Sequence, residues 1–553
     1  MPNKTKTDWV SSARETGGLD HLAVRAVSAH IYADLLPGIT NLTDRIACYA
    51  FYPWFVWEFR NHSKTENPDE MIKLFRRAEC LHTLIAMCHE LETEENEWSH
   101  GEGLVGRQTL GEVARRILKG ETIRLSRYAT LDSANGTRYF KHRLGGLGQY
   151  YLGSLKELEL LSGDVRQGLR YTEQWGTRLA EIYDQPVNGA AFFTAIRSGR
   201  IDGTVIKSLQ HFCPCHLKEN ATLRDALIDL LFCRGIGEFS QQHGSERRNT
   251  LLLLLDHARA AESVEGHKSD TEGFLASTYS GALADGSPWH PHATLTACVR
   301  SWGVYYRHEM LGMATQGLFW AGLAALGRGG RVADIDSYAG WFAKRFQSTF
   351  SKTLAKESVF NTIESTRKKQ PRLSDWRKPR HEVGLGKRII EAQKEDEPDA
   401  VVHASIALLL SLAARDNDSG SGYADCGLPS GYLDSYEINL VSLKHHCSKT
   451  WCHLTIREWV EWLAITWGLR VHLRVALRKL RHQTEDTFRI VPRDDGLWVK
   501  EAPTPQWSSP RIVQALRALF DLGLLELDTE VEGKTYRLSS VGRSLLETEL
   551  GSD

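Results

Sequence analysis

Two clusters of cysteine and histidine are the residues of this sequence best suited to binding a metal. Their members are His211, Cys213, Cys215 and His216 in HFCPCH, and His445, His446, Cys447, Cys452 and His453 in HHCSKTWCH. Zinc takes four nitrogen or sulfur ligands in a tetrahedron, commonly from cysteines spaced as CxxC. Neither cluster has that spacing, so the sequence favours ordinary reduced cysteines and no cofactor. The alternative is a zinc site, within one cluster or shared by both, with the candidate ligands Cys213, Cys215, Cys447 and Cys452.

A row of arginines is the second feature with chemical potential. The segment LRVHLRVALRKLR (469–481) contains five arginines or lysines and no acid. On a helix of 3.6 residues per turn, four arginines share one narrow face, and a lysine follows one of them in the sequence. These residues are Arg470, Arg474, Arg478 and Arg481, with Lys479. Arginine suits bidentate contacts to phosphate, so the row predicts binding to a nucleic-acid backbone. The alternatives are a solvated face or a contact with acidic residues of the protein, such as those of 526–532.

A second basic stretch, 367–388, holds nine arginines or lysines against two acids. Its two prolines and two glycines predict a basic loop or linker and not a helix. The stretch strengthens the expectation of a nucleic-acid surface somewhere on the molecule. Trp376 within it could stack on a base, but a packing role is favoured.

A search for catalytic motifs finds no phosphate-binding loop, no HExxH and no GxSxG. HLKENATLRD approaches a phospholipase-D-type motif, but six residues separate Lys218 and Asp225 where that motif has four. Asp494, Asp495 and Lys500 are the residues that a divergent metal-dependent nuclease would use. The adjacent His308 and Glu309 read as a satisfied polar pair in a core helix. The sequence therefore leans towards a protein without its own catalytic site.

Composition sets limits on the class of protein. The chain has 553 residues, 42% of them hydrophobic, 16 tryptophans and a net charge of −1, which predicts several ordered domains and places any nucleic-acid site in a local cluster. The start, MPNKTKTDWV, lacks the apolar core of a secretory signal. The apolar stretches near 317 and 401 are too short to span a bilayer and predict buried helices. Ten cysteines without a signal predict a reducing cytoplasm. The short apolar stretches predict no membrane partner.

The elements that would position these residues are mainly helices. Helical periodicity dominates from about residue 20 to 350 and is clearest over 69–92 and 296–326. Towards the C-terminus, 486–503 predicts two strands joined by a turn at Asp494-Asp495-Gly496. A helix then follows, with Ser508 or Ser509 as its N-cap and Gly523 at its end. A hairpin turning at Glu532-Gly533 and a short final helix complete the order.

That C-terminal order resembles the winged-helix family, through the cadence DLGLLE, a glycine, then YRLSSVGRSLL. The resemblance covers about 40 residues, or about 95 if the helices from 455 belong to it. It implies a recognition helix for the major groove and a wing that reaches phosphates. Carried over by position, the DNA-binding side chains would be Arg511, Gln514 and Arg517 on the helix and Lys534 and Arg537 on the wing. The strands of 486–501 depart from the family order, and a role in protein contacts stays open.

A second resemblance lies in three separate segments. These are LLPGIT…TDR…Y…YPWFVWEF within 17–59, CPCHLKE…LRDALIDLLF, and VHLRVALRKLR…DTFRIVP. They look like segments of uncharacterised bacterial proteins that are encoded in anti-phage defence islands beside helicases and nucleases. The resemblance implies a role in defence or DNA restriction and supplies no catalytic residues.

These observations combine into one expectation: a mainly α protein with a large multi-helical body and a C-terminal winged-helix (α+β) region. The expected segments are a helical body (1–350), a basic linker and helix (351–414), a flexible linker (415–435) and a winged-helix-like region (436–553). The expected role is a non-catalytic, DNA-binding or nucleic-acid-complex-recognising subunit of a cytoplasmic, multi-gene defence system. Its partners would be DNA and other subunits such as a helicase or nuclease. The alternatives are a transcriptional regulator with a helical sensor body, or the divergent nuclease.

Overall fold

The computed structural model confirms the mainly helical class, since 65% of the structure lies in helices, about twice the share in an average globular protein. The residues that it describes are 14–15, 20–62, 67–93, 100–132, 134–164, 168–234, 244–264, 269–351, 353–415, 430–483, 485–528 and 535–551.

The helices of the first half of the chain are α1 (Val24–Leu35), α2 (Cys48–His62), α3 (Pro68–Glu92), α4 (Arg107–Leu118), α5 (Leu125–Tyr128), α6 (Leu152–Glu157), α7 (Trp175–Asp184), α8 (Gly189–Ser198), α9 (Gly203–Ser208), α10 (Ala221–Leu231), α11 (Gly244–Ala261) and α12 (Thr271–Ser280). Those of the second half are α13 (Thr296–Gly327), α14 (Ile335–Arg345), α15 (Val359–Lys369), α16 (Glu382–Lys394), α17 (Pro398–Ala414), α18 (Ser430–Asp434), α19 (Leu440–Lys449), α20 (Ile456–Trp462), α21 (Val471–Gln483), α22 (Ile512–Asp521) and α23 (Ser540–Leu550). Two π-helical segments, Leu147–Tyr151 and Leu463–Arg470, precede α6 and α21 directly.

The strands are short and form two-stranded sheets. They are β1 (Arg14–Glu15), β2 (Ile123–Arg124), β3 (Leu161–Asp164), β4 (Gly168–Tyr171), β5 (Arg200–Ile201), β6 (Glu485–Asp486), β7 (Ile490–Arg493), β8 (Gly496–Val499), β9 (Leu525–Leu527) and β10 (Tyr536–Leu538). β1 pairs with β6 in parallel, while β2–β5, β3–β4, β7–β8 and β9–β10 are antiparallel. The two hairpins β7–β8 and β9–β10 are the small C-terminal β elements that the sequence predicted.

The chain divides into two compact units that each combine distant segments. The first unit comprises 1–32, 275–290 and 299–508, and the second comprises 33–274, 291–298 and 509–553. The division into four consecutive segments that the sequence suggested stays a prediction.

The first unit packs α14 and α15 against α20 and α17, and α16 lies along α17. Its aromatic core lies around Trp451, whose ring centroid is 5.5 Å from that of Trp459 and 5.0 Å from that of Trp467. All three tryptophans are buried. Three of the sixteen tryptophans thus lie in this core, as expected for side chains that bury a large apolar area.

The second unit packs α2 against α7 and α3 against α4. Trp54 and Phe51 of α2 lie in an aromatic core with Phe192 and Phe212. Helix α3 begins as its sequence predicts, because the Asn67 side chain accepts the Asp69 N–H and Pro68 occupies the first position. The helix predicted for 69–92 is therefore confirmed.

Two details of the sequence prediction are wrong. The basic stretch 367–388 is not a continuous loop, because α15 extends to Lys369 and α16 begins at Glu382. The His381 side chain caps the N-terminus of α16 by accepting the Val383 N–H. The N-cap of α22 is Arg511, in the left-handed region with φ 63°, and neither Ser508 nor Ser509. The predicted turn at Glu532-Gly533, Lys534, and most of the predicted flexible linker lie outside the described residues.

The helical stretch Ala293–Gly327, which contains α13, has the length and apolar composition of a membrane span. The expectation that the apolar stretch near 317 is too short to span a bilayer was therefore wrong about its length. The expectation of burial holds, because 83% of its most apolar window is buried inside the protein. Core helices and membrane spans share this pattern, and the cytoplasmic location stays a prediction.

Candidate nucleic-acid interface and candidate metal centre

The arginine row lies at the end of a continuous helical stretch formed by α20, the π-helical segment and α21. The stretch begins with a capping box, in which the Thr455 side chain accepts the Glu458 N–H and Glu458 accepts the Thr455 N–H. It buries one side, which consists of Leu469, Val471, His472, Val475 and Ala476. The opposite side is exposed and holds Arg470, Arg474, Arg478 and Arg481. The structure therefore brings the four predicted arginines onto one solvent-facing surface, which we call the arginine row.

The contacts of the arginine row within the protein are few in the part of the chain that the structure describes. Arg474 forms an exposed ion pair with Glu437, and Arg478 lies over the Tyr436 ring, 5.6 Å from its centroid. Such exposed ion pairs contribute about 0–1 kcal/mol, so Glu437 competes only weakly with another anion for Arg474. Lys479 points elsewhere and donates to the Asp20 carbonyl oxygen at 2.7 Å.

The buried side of α21 is anchored by His472. Its Nε2 accepts the Arg489 N–H at 3.0 Å, so its Nδ1–H donates to the His21 carbonyl oxygen at 3.3 Å. Burial, with the nearby charges of Arg489 and Lys479, lowers the pKa of His472 to about 4. The ring is therefore neutral near pH 7, and this pair of hydrogen bonds fixes the orientation of α21.

The side chains predicted to face a DNA groove from α22 contact other residues of the second unit. Arg511 Nη1 donates to the Leu36 carbonyl oxygen at 3.1 Å. Gln514 Nε2 lies 3.1 Å from both the Asn41 carbonyl oxygen and Asp44 Oδ1. Arg517 pairs with Glu102 at 2.5 Å and is 17% exposed. Arg537 on β10 pairs with Glu526 on β9 and is exposed.

The candidate metal centre lies in the second unit, where two cysteines of HFCPCH face two histidines from the end of α3 and the segment after it. The four residues are His89, His100, Cys213 and Cys215, whose ligand atoms all lie within 4.8 Å of one another. Cys213 Sγ is 3.3 Å from His100 Nδ1, and Cys215 Sγ is 3.4 Å from His89 Nδ1. Cys213 and His100 are buried.

The surrounding structure brings these segments together. Phe212 packs on Trp54 and Phe192 and so anchors the turn that holds Cys213. On the other side, the Gly101 N–H donates to Glu90 Oε2 at 2.7 Å. A Cβ at Gly101 would lie 2.3 Å from Met87 Sδ, so glycine lets the chain approach α3 closely enough to place His100 opposite Cys213.

Burial dominates the electrostatics of this cluster. It raises the pKa of the Cys213 thiol well above its usual range and lowers the pKa of His100 to about 4. The hydrogen bond from the Cys213 thiol lowers the pKa of Cys215.

A cavity of about 400 Å³ opens beside the cluster. Cys213 and Pro214 form part of its wall, together with His211, His216 and Glu219. His216 Nδ1 lies 2.8 Å from Glu219 Oε2, and its ring stacks on the His89 ring. Two histidines of HFCPCH therefore line the cavity and lie outside the group of four.

Sequence reasoning identified Cys213 and Cys215 but missed His89 and His100. The signal available was weak: two histidines eleven residues apart, at the end of a predicted helix and beyond it. Cys447 and Cys452 belong to the first unit and, within the described residues, to no group of three or more metal-binding side chains.

The other candidate residues also have defined positions. Asp494 and Asp495 are exposed at the turn of the β7–β8 hairpin, while Lys500 donates to Asp486 at 2.9 Å. Trp376 is buried and its indole N–H points at the carbonyl oxygens of Ala282 and Leu283, so it is a packing anchor.

The polar pair of α13 is buried as the sequence predicted. His308 Nδ1 is 3.0 Å from Ser28 Oγ, and Glu309 accepts the Ser508 N–H at 2.7 Å. Each of the two side chains therefore forms at least one hydrogen bond in the core, as buried polar groups usually do.

Comparisons with protein-family models, with curated proteins and with solved structures find no match to this chain. The two resemblances noted in the sequence therefore stay predictions.

Proposed function

We propose that the protein binds duplex DNA through the phosphate backbone, and that the arginine row is the contact surface. The observation that carries the proposal is the exposure of Arg470, Arg474, Arg478 and Arg481 on one side of one helical stretch. Four like charges side by side repel one another unless an anion lies close to them. Among the described residues, an acidic side chain forms an ion pair with only one of the four, Arg474. A polyanion satisfies all four at once.

The composition of the exposed side of α21 favours backbone contact over groove reading. From Arg470 to Arg481 the row extends about 16 Å, at 1.5 Å per residue. That length matches about five base pairs of one DNA strand, at 3.4 Å per step. The exposed residues of 470–481 are the four arginines and Leu477, so this side offers charge to phosphates and none of the amide or carboxylate groups that also read base edges. The expected binding is electrostatic and independent of sequence.

We further propose that residues 512–550 form a winged-helix-like unit that serves protein contacts and not DNA contacts. The order α22, β9, β10, α23 agrees with the recognition helix, wing and following helix of that family. The polar side chains of α22 contact the second unit itself. The charged side chains described in residues 512–550 therefore support DNA binding less than the arginine row does.

The biological setting that we propose is a non-catalytic subunit of a multi-gene anti-phage defence system, with catalysis supplied by partners such as a helicase or nuclease. This part rests on the resemblance of the three sequence segments and on the absence of familiar catalytic motifs from the sequence. A regulator would instead select one promoter sequence, which a backbone contact does not do.

The experiment is a salt titration of binding to a labelled duplex, with Arg470→Glu/Arg474→Glu/Arg478→Glu as the test variant. A charge-matched control is Lys369→Glu/Arg377→Glu/Arg380→Glu, which changes three exposed residues of the other basic stretch. The wild type should lose affinity steeply with salt, and the test variant should lose both affinity and salt dependence. The control should keep both.

Two results would overturn the proposal. One is an absence of wild-type binding at low salt, and the other is loss of binding in the control variant while the arginine-row variant binds normally. Circular dichroism of each variant separates a lost contact from a lost fold. Binding to one specific sequence only, at physiological salt, would favour the regulator instead.

A further inference from the structure

We propose that His89, His100, Cys213 and Cys215 bind one zinc ion, which ties the 213–215 turn to the C-terminal end of α3. The site lies in the second unit and does not depend on the proposed DNA contact. Two thiols and two imidazoles are a ligand set that zinc prefers, and four of them complete its tetrahedral shell.

The spacing of the ligand atoms fits such a shell. With Zn–S near 2.3 Å and Zn–N near 2.0–2.1 Å, a sulfur and a nitrogen at the tetrahedral angle are about 3.6 Å apart. The two sulfur–nitrogen separations in the cluster are 3.3 and 3.4 Å, and every ligand pair is within 4.8 Å. Small side-chain rotations therefore suffice to place an ion among the four atoms.

A neighbouring hydroxyl prepares His100 as a ligand. Thr93 Oγ1 donates its single proton to the His89 carbonyl oxygen at 2.8 Å. It can therefore only accept from His100 Nε2, which lies 3.3 Å away. This places the ring proton on Nε2 and leaves the Nδ1 lone pair directed at Cys213. Metal-binding histidines are typically oriented in this way, through a hydrogen bond from the outer nitrogen.

The role that follows is structural. Four protein ligands leave no coordination position for water or substrate, which distinguishes the site from catalytic zinc. The ion would connect α3 to a turn that lies more than a hundred residues later in the chain. Because Cys213 and Pro214 also line the adjacent cavity, the ion would hold that wall in place.

The test is the zinc content of the full chain, purified without chelators and with any histidine tag removed. Elemental analysis should find one zinc per chain in the wild type and none in Cys213→Ser/Cys215→Ser. The matched control is Cys447→Ser/Cys452→Ser, which removes the other cysteine pair and should retain the full zinc content.

Cobalt substitution covers the case in which the test variant fails to fold. Wild-type protein stripped of zinc and reduced should bind Co²⁺ with the strong visible bands of tetrahedral coordination and the near-ultraviolet bands of thiolate ligation. A single variant, His100→Asn, should weaken these bands while circular dichroism stays helical. The proposal is overturned if the wild type contains no zinc and takes up no cobalt, or if the Cys213/Cys215 variant keeps its zinc.

Discussion

Helices α21 and α22 both carry basic or amide side chains at helical spacing, yet the two helices use them differently. Arg470, at the end of the π-helical segment, and Arg474, Arg478 and Arg481 on α21 are exposed. On α22 and at its N-cap, Arg511, Gln514 and Arg517 contact carbonyl oxygens and acids of the second unit. Spacing alone therefore decides which residues share a face, whereas the acids supplied by other segments decide whether that face stays available to a ligand.

The difference extends to the buried residues of the two helices. Helix α22 ends with Asp521, which is 2% exposed, lies 3.6 Å from Arg45 Nε and accepts the Ile46 N–H at 3.4 Å. Burial raises the pKa of Asp521 above its ordinary value, although Arg45 partly offsets this. Helix α21 instead buries the neutral His472. One helix is thus fixed by an ion pair and the other by a hydrogen-bonded imidazole.

The largest effect is expected from Asp521→Ala. The pair itself contributes little net stability, because desolvation of both charges opposes their attraction. Removing the Asp521 carboxylate leaves the positive charge of the buried Arg45 guanidinium less compensated, so the free energy of unfolding should fall by about 3–5 kcal/mol. Urea unfolding followed by circular dichroism measures this.

Glu437→Gln is the matched control, because it removes the exposed acid partner of Arg474 on α21. Its effect on unfolding should stay within about 1 kcal/mol. The double variant Arg45→Met/Asp521→Leu should recover most of the loss. Equal effects of the Asp521 and Glu437 changes would contradict the contrast between the two helices.

Acid should destabilise the protein through His472. Its folded pKa of about 4 lies below the ordinary value of 6.5, so protons bind the unfolded chain more readily. The stability from neutral His472 is full above pH 6.5 and is lost as pH falls from there towards 4. The loss is about 1.4 kcal/mol per pH unit at most. Asp521, with its raised pKa, acts in the opposite direction.

His472→Gln isolates this contribution, since the glutamine amide can accept the Arg489 N–H but does not titrate. The unfolding free energy of the variant should fall less steeply between pH 6.5 and 4 than that of the wild type. Parallel curves for the two proteins would contradict the lowered pKa of His472 in the folded state. Other buried histidines, such as His82, titrate in both proteins and cancel in the comparison.

Local patterns explain what could be predicted from the sequence. Helices such as α3 and α13 follow from apolar spacing and caps, and the β7–β8 hairpin follows from its Asp-Asp-Gly turn. The contacts of Arg517 with Glu102, and of Cys213 with His100, join segments far apart in the chain. No local pattern encodes such pairs. Hence the shared face of the four arginines was predicted, and only half of the candidate metal-binding group was found.

Single arginine substitutions should show whether α21 or α22 contacts DNA. Each phosphate contact contributes about 0.9 to the slope of log affinity against log salt. Arg481→Ala should therefore lower the magnitude of that slope by about 0.9, whereas Arg517→Ala should leave it unchanged. A salt titration of both variants on one duplex measures the two slopes. A reduced slope for the Arg517 variant, with Arg481 silent, would move the interface to the C-terminal region.

The smallest expected effect has the opposite sign and comes from Glu437→Gln in the same binding assay. Glu437 pairs with Arg474 and so competes with phosphate for one guanidinium of the row. Exposed pairs of this kind are worth about 0.2–1 kcal/mol, which corresponds to an affinity gain of roughly 1.4- to 5-fold. In a protein that also carries Arg474→Ala, Glu437→Gln should raise DNA affinity only through the loss of a negative charge near the DNA. If Glu437→Gln leaves affinity unchanged at low salt, Arg474 takes no part in the contact, and the interface shortens to the remaining arginines.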